Sequence, residues 1–169
     1  MALMDTVPEN FTSPTKGSLT IKEVIEEISS FVDEDPTKFY RIVIGSDSQA
    51  KRVNSHSEID FVTAIVVHRQ ASCAIYFWRK QRIVKKPILR EKIYTETTMS
   101  LVTAQEFVPL LREKVSPAKY DFEIHIDVGP LGPTRDMINE VVGMVRGSGF
   151  TAKTKPESWG ASSVADKHT

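Results

Sequence analysis

Three strand-like runs, 39–46, 59–68 and 72–84, follow one another in the first half of this 169-residue chain, and after Lys86-Pro87 the apolar period changes. Val, Ile, Phe, Tyr and Trp dominate the runs, the composition that a pleated, half-buried surface selects. Short connections make such strands antiparallel neighbours. The link between the first two, AKRVNSHSE, is longer and polar. Beyond residue 87, Ile93, Thr97, Leu101, Ala104, Val108 and Leu111 fall on one face of a long helix. Pro109 lies inside it and should kink it, because proline deletes a backbone donor. Phe122 to Val128 alternates as a short strand, and GPLGPT is a turn. Residues 134–146 then carry Met137, Ile138, Val141, Val142 and Val145 at helical spacing, closed by Gly147 and Gly149. Residues 150–155 read as a last strand ended by Pro156, and Ser162 or Ser163 caps a short helix through Asp166.

Ahead of the strands, Thr20 and Glu23 have the spacing of a capping box, followed by Ile21, Val24, Ile25, Ile28, Phe31 and Val32 at helical spacing. The order is therefore helix, then βββ-α-β-α-β-α. Antiparallel strands followed by right-handed βαβ crossovers predict an α/β fold. It has one mixed five-stranded sheet, order 3-2-1-4-5, with helices on both faces and an extra N-terminal helix. Residues 18–169 form a single domain on this reading, and 1–17 a flexible polar tail.

Composition removes some functions. Lys plus Arg and Asp plus Glu both total 22, so any charge-driven recognition must be local. The single cysteine, Cys73, excludes an internal disulfide and fits a reducing, cytoplasmic setting; its apolar surroundings suggest a small buried side chain. The first 18 residues lack the basic head and apolar middle of an export signal, and no stretch is long enough to span a bilayer.

Against this frame, four acids fall at rigid positions. Asp47 follows the first strand in RIVIGSDSQA, Asp127 follows IHI in the fourth, Glu96 lies in the first turns of the long helix, and Asp166 lies in the last helix. If the first and fourth strands are parallel neighbours, Asp47 and Asp127 lie side by side. Two unpaired carboxylates at that range repel, so one takes a proton unless a cation sits between them. Hard divalent ions, Mg²⁺ or Mn²⁺, suit an all-oxygen donor set. The four histidines (His56, His68, His125, His168) have no paired ligand spacing for zinc. Four acids can hold two ions roughly 4 Å apart, an arrangement suited to in-line displacement at phosphorus. Each acid also has a plainer reading. Asp47 and Asp127 serve as turn residues, Glu96 favours a helix start, and Asp166 is a solvated helix residue.

The order of Asp47, Glu96, Asp127 and Asp166 resembles the ribonuclease H-like superfamily, which places an acid in strand one, helix A, strand four and a late helix. IGSDSQ, HIDVGPLGPT and KPESWGASSVADKHT further resemble the YkuK family, a bacterial ribonuclease H-like group of largely unassigned function. The similarity covers nearly all of the chain after residue 17. It implies a divalent-metal-dependent nuclease with these four acids as catalytic and metal-binding residues. The alternative is a non-catalytic nucleic-acid-binding or scaffold protein that retains the fold.

WRKQRIVKKP, residues 78–87, contributes Arg79, Lys80, Arg82, Lys85 and Lys86 with no acid among them. As the link to the Glu96 helix, it is the candidate nucleic-acid-binding segment, with Trp78 or Tyr94 available to stack on a base. The same composition would also guard a sheet edge against pairing with another chain. Lys51, Arg52, Lys153 and Lys155 are secondary candidates for this surface.

Overall fold

A computed structural model describes residues 3–4, 8–158 and 160–169. Three short strands come first: β1 (Leu3–Met4), β2 (Phe11–Ser13) and β3 (Gly17–Leu19). The sequence reading places a polar tail up to residue 17, whereas β2 and β3 pair there as an antiparallel hairpin. The reason is one aromatic among polar neighbours. Phe11 is fully buried, with the Arg79 guanidinium 4.6 Å from its ring centroid. The Ser13 hydroxyl satisfies the turn by accepting from Lys16 N.

Thr20 and Glu23 form the expected capping box, each side chain accepting from the other's backbone N–H at 3.1–3.2 Å. It opens α1, Ile21–Glu34. The three long strands follow: β4 (Tyr40–Val53), β5 (His56–Arg69) and β6 (Ala74–Val84). Then come α2 (Leu89–Lys114), β7 (Tyr120–His125), α3 (Ile138–Gly147), β8 (Thr151–Lys153) and α4 (Gly160–His168). Strand order along the sheet is β3-β2-β6-β5-β4-β7-β8, with β1 added beside β6. The last five strands reproduce the expected 3-2-1-4-5 order, and the N-terminal strands enlarge the sheet beyond the five expected.

Two local differences bear on the site. The polar stretch after Asp47 is strand rather than link: β4 and β5 stay paired from Tyr40↔Arg69 out to Val53↔His56. Asn54 makes this tight turn possible by taking a left-handed conformation (φ 54°), which asparagine tolerates better than most residues. Cys73 is exposed, in the bend between β5 and β6 rather than in either strand.

Strand alternation divides the sheet into two faces. Ile42, Ile44, Ile65 and Val67 face the main core with α1, α2 and α3, whereas Val43, Val62, Ala64 and Val66 pack with Ala161, Val164 and Ala165 of α4. Among the described residues, α4 is thus the one helix on its face. Its anchors include a stack of His168 on Trp78, with centroids 4.1 Å apart and planes 12° apart.

Candidate active site

The pairing of β4 with β7 is parallel and ends at Gly45↔His125, although β4 continues to Val53. Beyond Gly45, β4 therefore has β5 on one side and no β7 partner on the other. Asp47 and Asp127 each lie two residues past that last pair, so both fall on the α4 face at one level of the sheet. Asp47 is thus inside a long strand, at the point where its neighbour leaves, and not at a strand end. Both aspartates are half-buried.

Ser46 and Ser48, on either side of Asp47, point the other way, toward α2. The Ser46 hydroxyl bonds the Thr63 hydroxyl (2.9 Å) and the Ser100 hydroxyl (2.8 Å), a buried link joining β4, β5 and α2. One helical turn earlier, Ser48 Oγ donates to Glu96 Oε1 at 2.6 Å. The two rungs match the strand period of two to the helix period of four, and so set the rotation of α2 that brings Glu96 in.

The fourth acid depends on a glycine. A Cβ at Gly45 would lie 2.6 Å from Ala161 Cβ and 3.3 Å from the His125 carbonyl oxygen. The bare backbone therefore lets α4 sit directly on β4, and α4 carries Asp166, which is exposed.

The acids sense one another. Burial pushes the Asp47 carboxyl above its ordinary range; a hydrogen bond from the Ser48 backbone opposes this, and the charges of Asp127 and Asp166 add to it. Glu96, 7 % exposed, is pushed up to about 8, chiefly by burial, against the Ser48 bond and with the charges of Asp47 and Asp127. Lys92, one turn before Glu96, lowers both. Asp127 has a cation of its own, with Lys155 Nζ 3.0 Å from its Oδ1. Among the described residues, no group of three or more acidic, histidine or cysteine side chains is arranged to hold a metal ion together. Two of the acids have taken other partners, Ser48 for Glu96 and Lys155 for Asp127.

His125 is buried on the α4 face, its Nε2 2.9 Å from Glu123 Oε2, and burial holds its pKa below the usual histidine value. Its Nδ1 is buried without a hydrogen-bond partner.

The basic segment divides by strand alternation. Arg79 points to the α2 face and is buried, donating to Thr103 Oγ1 (2.8 Å). Arg82 bonds Asp60 at 2.8 Å and lies 3.3 Å from a Glu58 oxygen, and Lys85 pairs with Glu91. Among the described residues, Lys80 and Lys86 form no ion pair. Lys80 occupies the level of Asp47, through Asp47↔Val62 and Val62↔Lys80. Lys85, Lys86 and Lys92 rim a cavity of ≈ 110 Å³ floored by Ile59, Phe61 and Ile83, beside the start of α2. The Trp78 ring is covered by His168, and Tyr94 is half-buried under Arg90.

Sequence reasoning missed Ser46, Ser48 and Lys92, and gave Lys155 no role beside an acid. Alternation around Asp47 signalled the serines, the four-residue spacing from Glu96 signalled Lys92, and the parallel register signalled Lys155.

An acid at the level where a parallel pair ends, another brought from the first crossover helix and a C-terminal helix on the opposite face define a ribonuclease H-like domain. Residues 23–169 match the family described as Ribonuclease H-like, and the chain belongs to it. It is also 35% identical over 170 residues to the Bacillus subtilis (strain 168) protein named "Uncharacterized protein YkuK", covering 94% of this chain and 96% of that one. No solved structure gives a significant match. Among the described residues, no helix is long and apolar enough to cross a membrane.

Proposed function

We propose that this protein is a divalent-metal-dependent nuclease that hydrolyses phosphodiester bonds of RNA or DNA, with Asp47, Glu96, Asp127 and Asp166 holding Mg²⁺ or Mn²⁺. The observation that carries the reading is electrostatic. The charges of Asp127 and Asp166 raise the proton affinity of Asp47, and those of Asp47 and Asp127 raise that of Glu96, so acids from four elements lie within electrostatic reach of one centre. The donor set is all carboxylate, which suits hard cations. When bound, such an ion supplies Lewis acidity, lowering the pKa of a water and drawing charge from the phosphate.

The protein's own groups do the rest. The Ser48 hydroxyl orients Glu96 so that one oxygen is fixed. Lys80, Lys86 and Lys92 bring positive charge to the strand of nucleic acid that crosses the site. The apolar floor beside Lys86 and Lys92 offers a base an apolar contact.

A second reading, a nucleic-acid-binding protein without turnover, has one observation in its favour, the Lys155 ammonium already on Asp127. Incubation with labelled RNA, RNA–DNA hybrid, single-stranded DNA and branched DNA, in Mn²⁺ or in EDTA, separates the two. Cleavage that disappears in EDTA and in Asp47→Asn is expected. If no substrate is cut above the Asp47→Asn control while RNA or DNA still binds, the second reading replaces the first.

A further inference from the structure

We propose that Lys155 is a built-in second cation of the acid site: its ammonium stands beside Asp127 in place of a second divalent ion and itself grips the phosphate. The site then takes one Mg²⁺ or Mn²⁺. This rests on the nuclease reading and sharpens it.

Register brings Lys155 near the acids. Gly45 pairs with His125, and His125 pairs with Lys153, all in parallel strands. Asp47, Asp127 and Lys155 come two residues past these pairs; β7 and β8 have ended by then, and the contact of Lys155 Nζ with Asp127 Oδ1 at 3.0 Å is what places the lysine beside the acid. Two backbone features hold the lysine there. Lys155 N donates to the Val128 carbonyl at 2.8 Å, tying the two chain segments together beyond the ends of β7 and β8. Its stem lies on the bare backbone of Gly129, where a Cβ would come within 2.9 Å of Lys155 Cβ. A side chain at position 129 would force the Lys155 stem or the backbone beneath it to shift.

The ammonium also has capacity left. Nζ is 3.0 Å from Asp127 Oδ1, and the Lys155 side chain remains 56% exposed. An ammonium has three donors, so those not spent on Asp127 are left for a phosphate. Lys153, by contrast, turns to Glu157 at 3.5 Å. Charge balance favours the same count of ions. Fully ionised, the four acids carry four negative charges. Lys92 and Lys155 offset two of them, and one divalent ion offsets the rest. A second ion would have to displace the Lys155 ammonium from Asp127.

The test is a Mn²⁺ titration followed by electron paramagnetic resonance, on wild type, Lys155→Met, Lys155→Arg and Asp47→Asn, with circular dichroism as the check on folding. Wild type and Lys155→Arg are expected to bind one ion and Lys155→Met two. Cleavage by Lys155→Met at limiting Mn²⁺ is expected to fall about ten-fold or more, the loss of one charge-assisted hydrogen bond to phosphate. Its dependence on Mn²⁺ should become sigmoidal, whereas that of wild type stays hyperbolic. Two ions in both wild type and Lys155→Met, or one in both, overturns the role of Lys155 and leaves the nuclease reading standing. No Mn²⁺ bound by wild type overturns both.

Discussion

Ser48 Oγ donates a 2.6 Å hydrogen bond to Glu96 Oε1, across the gap between β4 and α2, in a chain where those residues are 48 positions apart. This is the bond that opposes burial in setting the proton affinity of Glu96. At neutral pH the Glu96 carboxyl is largely protonated, because its folded value is about 8 against an ordinary 4.5. A raised carboxyl favours folding only while it holds its proton. Its contribution is therefore complete below pH 4.5 and is lost as the pH rises toward 8. In EDTA, wild type should lose a few kcal/mol of stability between pH 5 and pH 9 from this group, at about 1.4 kcal/mol per unit. Glu96→Gln, which keeps the acceptor and removes the charge, should flatten that slope. Urea unfolding at pH 5, 7 and 9 measures it, and parallel slopes for the two proteins would refute the assignment.

The same protonation predicts a proton count for metal binding. A ligand must lose its proton before it coordinates a cation, so Mn²⁺ binding at pH 7 should release about one proton through Glu96. Calorimetric titration in two buffers of different ionisation enthalpy reads this directly. Glu96→Gln should bind more weakly and release close to none. A wild-type release near zero would mean that Glu96 is not a ligand.

Gly45 gives a mechanical prediction. A methyl group there meets Ala161 Cβ at 2.6 Å, so Gly45→Ala must lift α4 or shift β4, at about 1–3 kcal/mol for overpacking. Lifting α4 separates His168 from Trp78 and carries Asp166 away from Asp47. The expected signs are altered Trp78 fluorescence and weaker Mn²⁺ binding, both restored in Gly45→Ala/Ala161→Gly. Failure of the second substitution to restore either would remove α4 docking as the cause.

How far the sequence exposes this design depends on whether the physics is local. The capping box of α1 and the β-branched and aromatic composition of β5 and β6 are local, and both elements are present as read. The order of the last five strands also follows, because short links and right-handed crossovers leave few topologies. The N-terminal hairpin was hidden because a single buried aromatic, Phe11, anchors otherwise polar residues. Residues 48–53 look like a polar loop because that part of β4 is largely exposed, so no apolar alternation marks it. Asp47, Glu96, Asp127 and Asp166 stand out by their place in the element order. Their partners do not. Ser48 and Lys155 reach the acids through tertiary register, which only the assembled sheet supplies.

The basic segment predicts two separable classes of mutant. Arg79 donates to buried Thr103 and lies over Phe11, so Arg79→Ala should cost about 1–3 kcal/mol of stability by leaving the hydroxyl unsatisfied and a core aromatic uncovered. Arg82 bonds Asp60, whose carboxyl is nearly fully buried and is held below its ordinary range first by Arg82. A depressed carboxyl stabilises above its unfolded pKa, so this contribution persists at neutral pH and vanishes as the pH falls below about 4. Arg82→Ala should therefore destabilise at pH 7 and much less at pH 3. Both arginine variants should leave the salt dependence of nucleic-acid binding nearly unchanged. Lys80→Ala and Lys86→Ala should do the reverse, leaving stability within about 0.5 kcal/mol. Each should also reduce the slope of log K against log salt by roughly 0.7 to 0.9, the yield of one phosphate contact. Fluorescence anisotropy with a labelled oligonucleotide at several salt concentrations gives the slopes, and denaturant unfolding gives the stabilities. If Arg79→Ala and Arg82→Ala change the slope while Lys80→Ala and Lys86→Ala do not, the nucleic acid does not contact Lys80 or Lys86.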